Sequence, residues 1–102
     1  MKVALVQSDL IWENPQANLR AFEEQFKNIE TGTDLIVLPE MFTTGFTMHP
    51  EAVAETMNNN TVAWLKQQAI EKQTAITGSV VITENGNYYN RLIFAFPDGS
   101  LA

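Results

Sequence analysis

The chain has 102 residues, 45% of them hydrophobic, which suffices for one small domain with a real core and excludes a disordered tail. Twelve acids against six bases give a net charge of -6, and Lys2, Arg20, Lys27, Lys66, Lys72 and Arg91 form no stripe, so a nucleic-acid partner is not expected. There is no cysteine, which removes disulfides, thiolate metal sites and cysteine nucleophiles from these residues; no apolar run has membrane-span length and residues 1–10 lack a signal-peptide pattern, so the expected location is cytoplasmic, with no membrane partner.

The run from Lys2 to Ser8 is short and valine-containing, and it reads as a buried strand. Asn14-Pro15 then starts a helix, with Asn as cap and Pro in the first turn, where its missing N–H costs nothing. Leu19, Phe22, Phe26 and Ile29 recur at helical spacing along one face, and Gly32 is the expected stop. Leu35 to Leu38 is a second buried strand, so the first three elements predict a parallel crossover. Pro50 to Glu55 offers a helical turn inside a long loop, and a second helix is expected from Thr61 to Lys72 with Val62, Leu65, Ala69 and Ile70 inward. Thr74 to Thr83 is a β-branched strand. Asn85-Gly86 signals a two-residue hairpin that returns along Tyr88 to Phe96, pairing Thr83 with Tyr88 and Val81 with Asn90. Pro97-Asp98-Gly99-Ser100 is a further turn. The order is β-α-β-α-β-β, an α/β fold. Strands apolar on both faces expect cover on both sides, and the helices are a thin supply of it, so the architecture looks incomplete.

The segment Asp34-Leu-Ile-Val-Leu-Pro-Glu40-Met-Phe-Thr-Thr-Gly-Phe46 carries the chemistry. Its strand stops at Pro39 and the next residue is a carboxylate. Loops leaving the carboxyl ends of strands are where α/β sheets bind ligands. Met41, Phe42 and Phe46 are expected to surround Glu40 with apolar side chains, which disfavours its charged form and suits it to general-base work. The plain alternative is a solvated loop carboxylate. His49 has no companion at metal-ligand spacing except Glu51, so no metal site is expected.

Gln7, Asn14-Pro15, Asn18-Leu19, Leu38-Pro39-Glu40, Gly78-Ser79, Tyr89-Asn90-Arg91 and Pro97-Asp98-Gly99 form an ordered set along the whole chain. With this set the chain resembles the N-terminal part of the nitrilase, or carbon–nitrogen hydrolase, superfamily. Glu40 to Phe46 and Asn87 to Arg91 look most like its omega-amidase branch. The resemblance implies a four-layer α-β-β-α sandwich, of which residues 1–102 would be the N-terminal half, one partial domain. It implies a cysteine-dependent amidase that uses no cofactor and no metal, acts on a small carboxylate-bearing amide and works as a homodimer. Of the family's glutamate, lysine and cysteine, only the glutamate is placed here, at Glu40; Lys66 and Lys72 do not match the lysine motif. The chain alone is therefore expected to be inactive.

Beside Glu40, the candidate substrate contacts are Phe42, Thr43 and Phe46, each with a competing reading as core or turn. Asn90 is the candidate brace for the active-site loops, and Arg91 is expected to pair with an acid across the sheet. The alternative to an enzyme part is a non-catalytic half-fold module that pairs with itself or with another chain.

Overall fold

The elements run β1 (Val3–Leu5), α1 (Pro15–Phe26), β2 (Leu35–Val37), α2 (Pro50–Val53), α3 (Asn60–Lys72), β3 (Ala75–Glu84) and β4 (Asn87–Ala95) in a computed structural model that describes residues 1–102. One sheet has the order β1-β2-β3-β4, with the first three strands parallel and β4 antiparallel to β3. The α/β architecture and the element order are those read from the sequence. The first two strands are shorter than expected. Their ladders carry on for one bond each, from Val6 N to the Val37 carbonyl and from Leu38 N to the Thr77 carbonyl, and then stop. Pro39, which has no N–H to give toward β1, ends the first.

Local chemistry sets the helix ends. Asn14 Oδ1 accepts from Ala17 N at 3.2 Å, and Pro15 opens α1. The helix ends at Phe26, before Ile29 and Gly32; the chain there tightens into bonds such as Ile29 N to the Phe26 carbonyl, 3.1 Å. Lys72 Nζ donates to that same carbonyl at 2.8 Å. At the start of α3 the Glu55 carboxylate accepts from Thr61 N at 3.0 Å and from the Thr61 hydroxyl, placing negative charge at a helix N-terminus. Glu55 also bridges to Ile82, extending the sheet edge beyond β2.

Leu19, Phe22 and Phe26 of α1 and Val62, Leu65 and Ala69 of α3 form the core with Ile36, Ile76, Val80, Ile82, Ile93 and Ala95 of the sheet. Ile70 was expected on the inner face of α3; it is half exposed, and Gln68 holds the buried position instead. The inner stripe runs through Leu65, Gln68 and Ala69, and Ile70 falls beside it, against Gly99. The hairpin has the expected register, Thr83 opposite Tyr88 and Val81 opposite Asn90, with Asn85 and Gly86 at φ +54° and +78°. In the last turn the Ser100 hydroxyl and N–H both donate to Asp98, which holds that carboxyl below its usual range.

Cover on both faces is not found. The helices stand on one side, and on the other Val3, Leu5, Tyr88 and Leu92 are exposed, Leu5 and Leu92 each at 72%. The strand β1, expected to be buried, holds no buried residue: Val3 and Leu5 are exposed and Ala4, facing the core, is only partly buried. An open apolar sheet face of this kind is a self-association surface. In sedimentation velocity the chain is expected to run above its 11.4 kDa monomer mass, and Leu5→Glu with Leu92→Lys to shift it back to monomer. A monodisperse wild-type monomer would contradict this.

Candidate active site

Glu40 sits where the chain leaves β2, and the loop it begins is folded back onto β3. Met41 takes φ +48°, in the left-handed region. Its N–H donates to Ser79 Oγ at 2.8 Å, and Phe42 N donates to the Ser79 carbonyl at 3.2 Å. Gly78 makes the close approach possible: a Cβ there would lie 2.8 Å from Phe42 Cδ1 and 3.0 Å from Leu38 Cβ.

A cleft of about 350 Å³ lies beside the carboxylate. β2 and its end supply Val37 and Leu38, β3 supplies Thr77, Gly78 and Ser79, and β4 supplies Asn90 and Leu92. Asn90 Nδ2 donates to Glu40 Oε1 at 3.0 Å. This bond joins two residues fifty positions apart, and it leaves the second carboxylate oxygen free to accept a proton or a donor. By the strand register Thr77, Ser79, Asn90 and Leu92 share the face away from the helices. The cleft therefore opens on the uncovered side of the sheet.

The apolar enclosure expected around Glu40 is not built from Met41, Phe42 and Phe46. Glu40 is exposed. Phe42 is fully buried on the helix side, edge-on to Phe22 at 5.7 Å and 6.1 Å from Trp64. Phe46 is exposed, and its carbonyl accepts from Trp12 Nε1 at 2.9 Å. The turn at Met41 is the reason: it sends the next side chain down into the core instead of around the carboxylate. Thr43 is also buried, and its Oγ1 has no hydrogen-bond partner. Neither Phe42 nor Thr43 lines the cleft.

The structure adds a residue to which the sequence reading gave no role. Asn18, 2% exposed, donates from Nδ2 to the carbonyls of Ile11 and Thr43, both at 2.7 Å, and accepts from Ile11 N at 2.8 Å. It ties the loop after β1 to the loop after β2. Glu13 N to the Thr44 carbonyl at 2.7 Å and the Thr47 hydroxyl to the Glu13 carboxylate reinforce the same junction. The signal was available: Asn18 stands four residues before Phe22, on the apolar stripe of α1, and a polar side chain buried there must be hydrogen-bonded.

The remaining candidates are placed elsewhere. Arg91 pairs with Glu84 on the neighbouring strand at 3.2 Å and lies over the Tyr89 ring. His49 and Glu51 form an exposed pair at 3.6 Å, and no group of three or more His, Cys, Asp or Glu side chains is positioned to hold a metal ion. A second hollow, about 320 Å³, lies between the first turns of α1 and α3, but Glu13 and Glu55, its carboxylates, are already committed to Thr47 and Thr61.

The carbon-nitrogen hydrolase family model matches residues 2–102, and the chain belongs to that family. Among its relatives, the omega-amidase YafV of Escherichia coli K12 is 39% identical over 102 residues, which are 99% of this chain and 39% of the relative. The 2-oxoglutaramate amidase of Bacillus subtilis is 27% identical over 101 residues, covering 97% of this chain and 39% of its own length. The chain thus spans about two fifths of the relatives it matches. A crystal structure of a CN-hydrolase superfamily protein from Xanthomonas campestris, with an arsenic adduct in its active site, superposes with a TM-score of 0.93 at 38% identity, covering 98% of this chain and 38% of that one. An amidase from Nesterenkonia, 20% identical with a TM-score of 0.81 over all of this chain and 40% of that one, shares the fold.

Asn18→Leu leaves the buried Thr43 carbonyl without its donor and removes two part-buried bonds to Ile11, whose carbonyl keeps Asn14 N; it is expected to destabilise the chain by about 2–4 kcal/mol in urea unfolding. Thr43→Val removes a hydroxyl that has no partner and is expected to be neutral or stabilising in the same measurement.

Proposed function

We propose that residues 1–102 supply the general base of a cysteine-dependent amidohydrolase that cleaves a small carboxylate-bearing amide to an acid and ammonia. The observation that carries this reading is the Glu40 carboxylate, set at the end of a parallel strand over a cleft and held on one oxygen by Asn90. The relatives' names, omega-amidase and 2-oxoglutaramate amidase, support the substrate class.

The roles follow from the chemistry of amide cleavage. A thiol becomes a good nucleophile once a base takes its proton. Glu40, through the oxygen Asn90 leaves free, takes that proton, returns it to the departing ammonia and then activates the water that releases the acid. The thiol and the oxyanion-stabilising lysine come from outside these residues. The chain has no cysteine, Lys72 is bonded to the Phe26 carbonyl, and Lys66 is exposed on α3, away from the cleft. A catalytic unit with its nucleophile removed loses nearly all of its rate, so the chain alone is read as inactive. None of Phe42, Thr43 and Phe46 lines the cleft; Phe46 alone presents its side chain at the surface and is kept as a substrate contact from outside it. The parent is read as a cytoplasmic homodimer built as a four-layer sandwich, with the open sheet face as its inner surface.

A second reading is a non-catalytic module that pairs through that open face with itself or another chain; the exposed Leu5 and Leu92 favour it. One experiment separates the two. Residues 1–102 replace the matching 39% of the Escherichia coli relative, and ammonia release is measured with a monoamide of a dicarboxylic acid. The enzyme reading expects an active chimera and a loss of roughly 10²–10⁴-fold in kcat for Glu40→Gln. A folded chimera without activity, or one indifferent to Glu40→Gln, would favour the module, whereas ammonia release by the isolated chain, which has no thiol, would overturn both readings.

A further inference from the structure

The turn that carries Glu40 stands outside the ladder on which it is built. Leu38 N still bonds the Thr77 carbonyl at 2.8 Å, but the next bond to β3 comes from Phe42 N, to the Ser79 carbonyl at 3.2 Å. Bonds along a parallel ladder are evenly spaced, two residues apart, so residue 40 would have held that carbonyl in an unbroken strand. Pro39, Glu40 and Met41 are looped out instead, and Met41 takes a left-handed φ of +48°. An L residue stays in that region only where its surroundings over-determine it. Here the group that meets the Met41 amide is the Ser79 hydroxyl, at 2.8 Å.

We propose that Ser79 is a positioning residue for Glu40: its hydroxyl, by holding the Met41 amide, sets where the Glu40 carboxylate stands in the cleft. This rests on the reading of Glu40 as the base. Glu40 is fixed between two constrained neighbours. The ring of Pro39 sets one side, and the Ser79-held turn at Met41 sets the other. From that backbone the carboxylate meets Asn90 Nδ2 at 3.0 Å. Asn90 lies opposite Val81, two residues along β3 from Ser79, so one short stretch of hairpin carries both the brace for the backbone and the brace for the carboxylate. Ser79 is nearly buried and lines the cleft. Replacing its hydroxymethyl group by the methyl of alanine leaves the half-buried Met41 N–H without its acceptor. The turn then relaxes toward an ordinary φ, and the Glu40 side chain swings away from Asn90. Threonine keeps the acceptor; alanine does not.

The test reads geometry, not turnover. In the ¹⁵N-labelled chain, the Asn90 side-chain amide is assigned, and its bond to Glu40 is defined by the shift it undergoes in Glu40→Ala. Ser79→Ala is expected to reproduce that shift, with amide exchange protection in α1 and β3 unchanged. Ser79→Thr is expected to leave the Asn90 signal at its wild-type position. The proposal is overturned if a folded Ser79→Ala keeps the wild-type Asn90 signal, if Ser79→Thr moves it as far as Ser79→Ala, or if Glu40→Ala does not move it at all. Global unfolding of Ser79→Ala would also overturn it, because Ser79 would then serve the whole fold and not the Glu40 turn. None of these outcomes bears on whether Glu40 is the base, which the chimera assay decides.

Discussion

One buried amide, that of Asn18, holds together the two loops that leave the carboxyl ends of β1 and β2. Its three hydrogen bonds go to Ile11 on one side and Thr43 on the other, and the one to the Thr43 carbonyl is made in the interior, where an unmade bond is costly. The position of the Glu40 loop depends on this tie. Without it the segment from Glu40 to Thr47 would be joined to the loop after β1 only through Trp12 and Glu13, which sit at the surface end of the junction. An asparagine suits the place because it gives and accepts at once, and the carbonyls and N–H it meets face it from two different loops.

The loop is also pressed onto β3. Gly78 admits the Phe42 ring, and Ser79 takes both Met41 and Phe42. These contacts divide the work of the segment between the two sides of the sheet. Phe42 goes to the helix side and joins Phe22 and Trp64 in the core. Glu40 goes to the other side and meets Asn90. Phe42, two residues after the carboxylate in sequence, is therefore not its neighbour in space, and the reason is the left-handed residue between them. The carboxylate stands on the face that the helices leave bare, beside the exposed Leu92. In this member of the carbon-nitrogen hydrolase family, the Glu40 carboxylate and the exposed apolar residues Leu5 and Leu92 therefore lie on the same side of one sheet.

Much of this was legible in the residues because it rests on local rules. The Asn14 cap, Pro15, the stripe of Leu19, Phe22 and Phe26, the Asn85-Gly86 turn and the pairing of Val81 with Asn90 each depend on neighbours within a few positions. The strand that ends at Pro39 was equally plain, and so was the carboxylate after it. The strand pattern also showed that four strands had too few helices to cover both faces, although it did not show which strands would be left exposed.

What the tertiary structure alone decided is where side chains from distant segments meet. The sequence determined the elements, their order and the presence of Glu40 at a strand end. It did not determine that Phe42 and Thr43 would be buried while Glu40 turned outward, or that Ile70 would sit beside the inner stripe of α3. Nor did it determine that Asn18 would reach Thr43 and Asn90 would reach Glu40. Periodicity reports which face of an element is apolar, but a loop has no period. The side-chain directions in the Glu40 loop follow from the left-handed φ of Met41 and Gly45 and from the groups on β3 and α1 that hold the turn, and those groups lie far away in the chain.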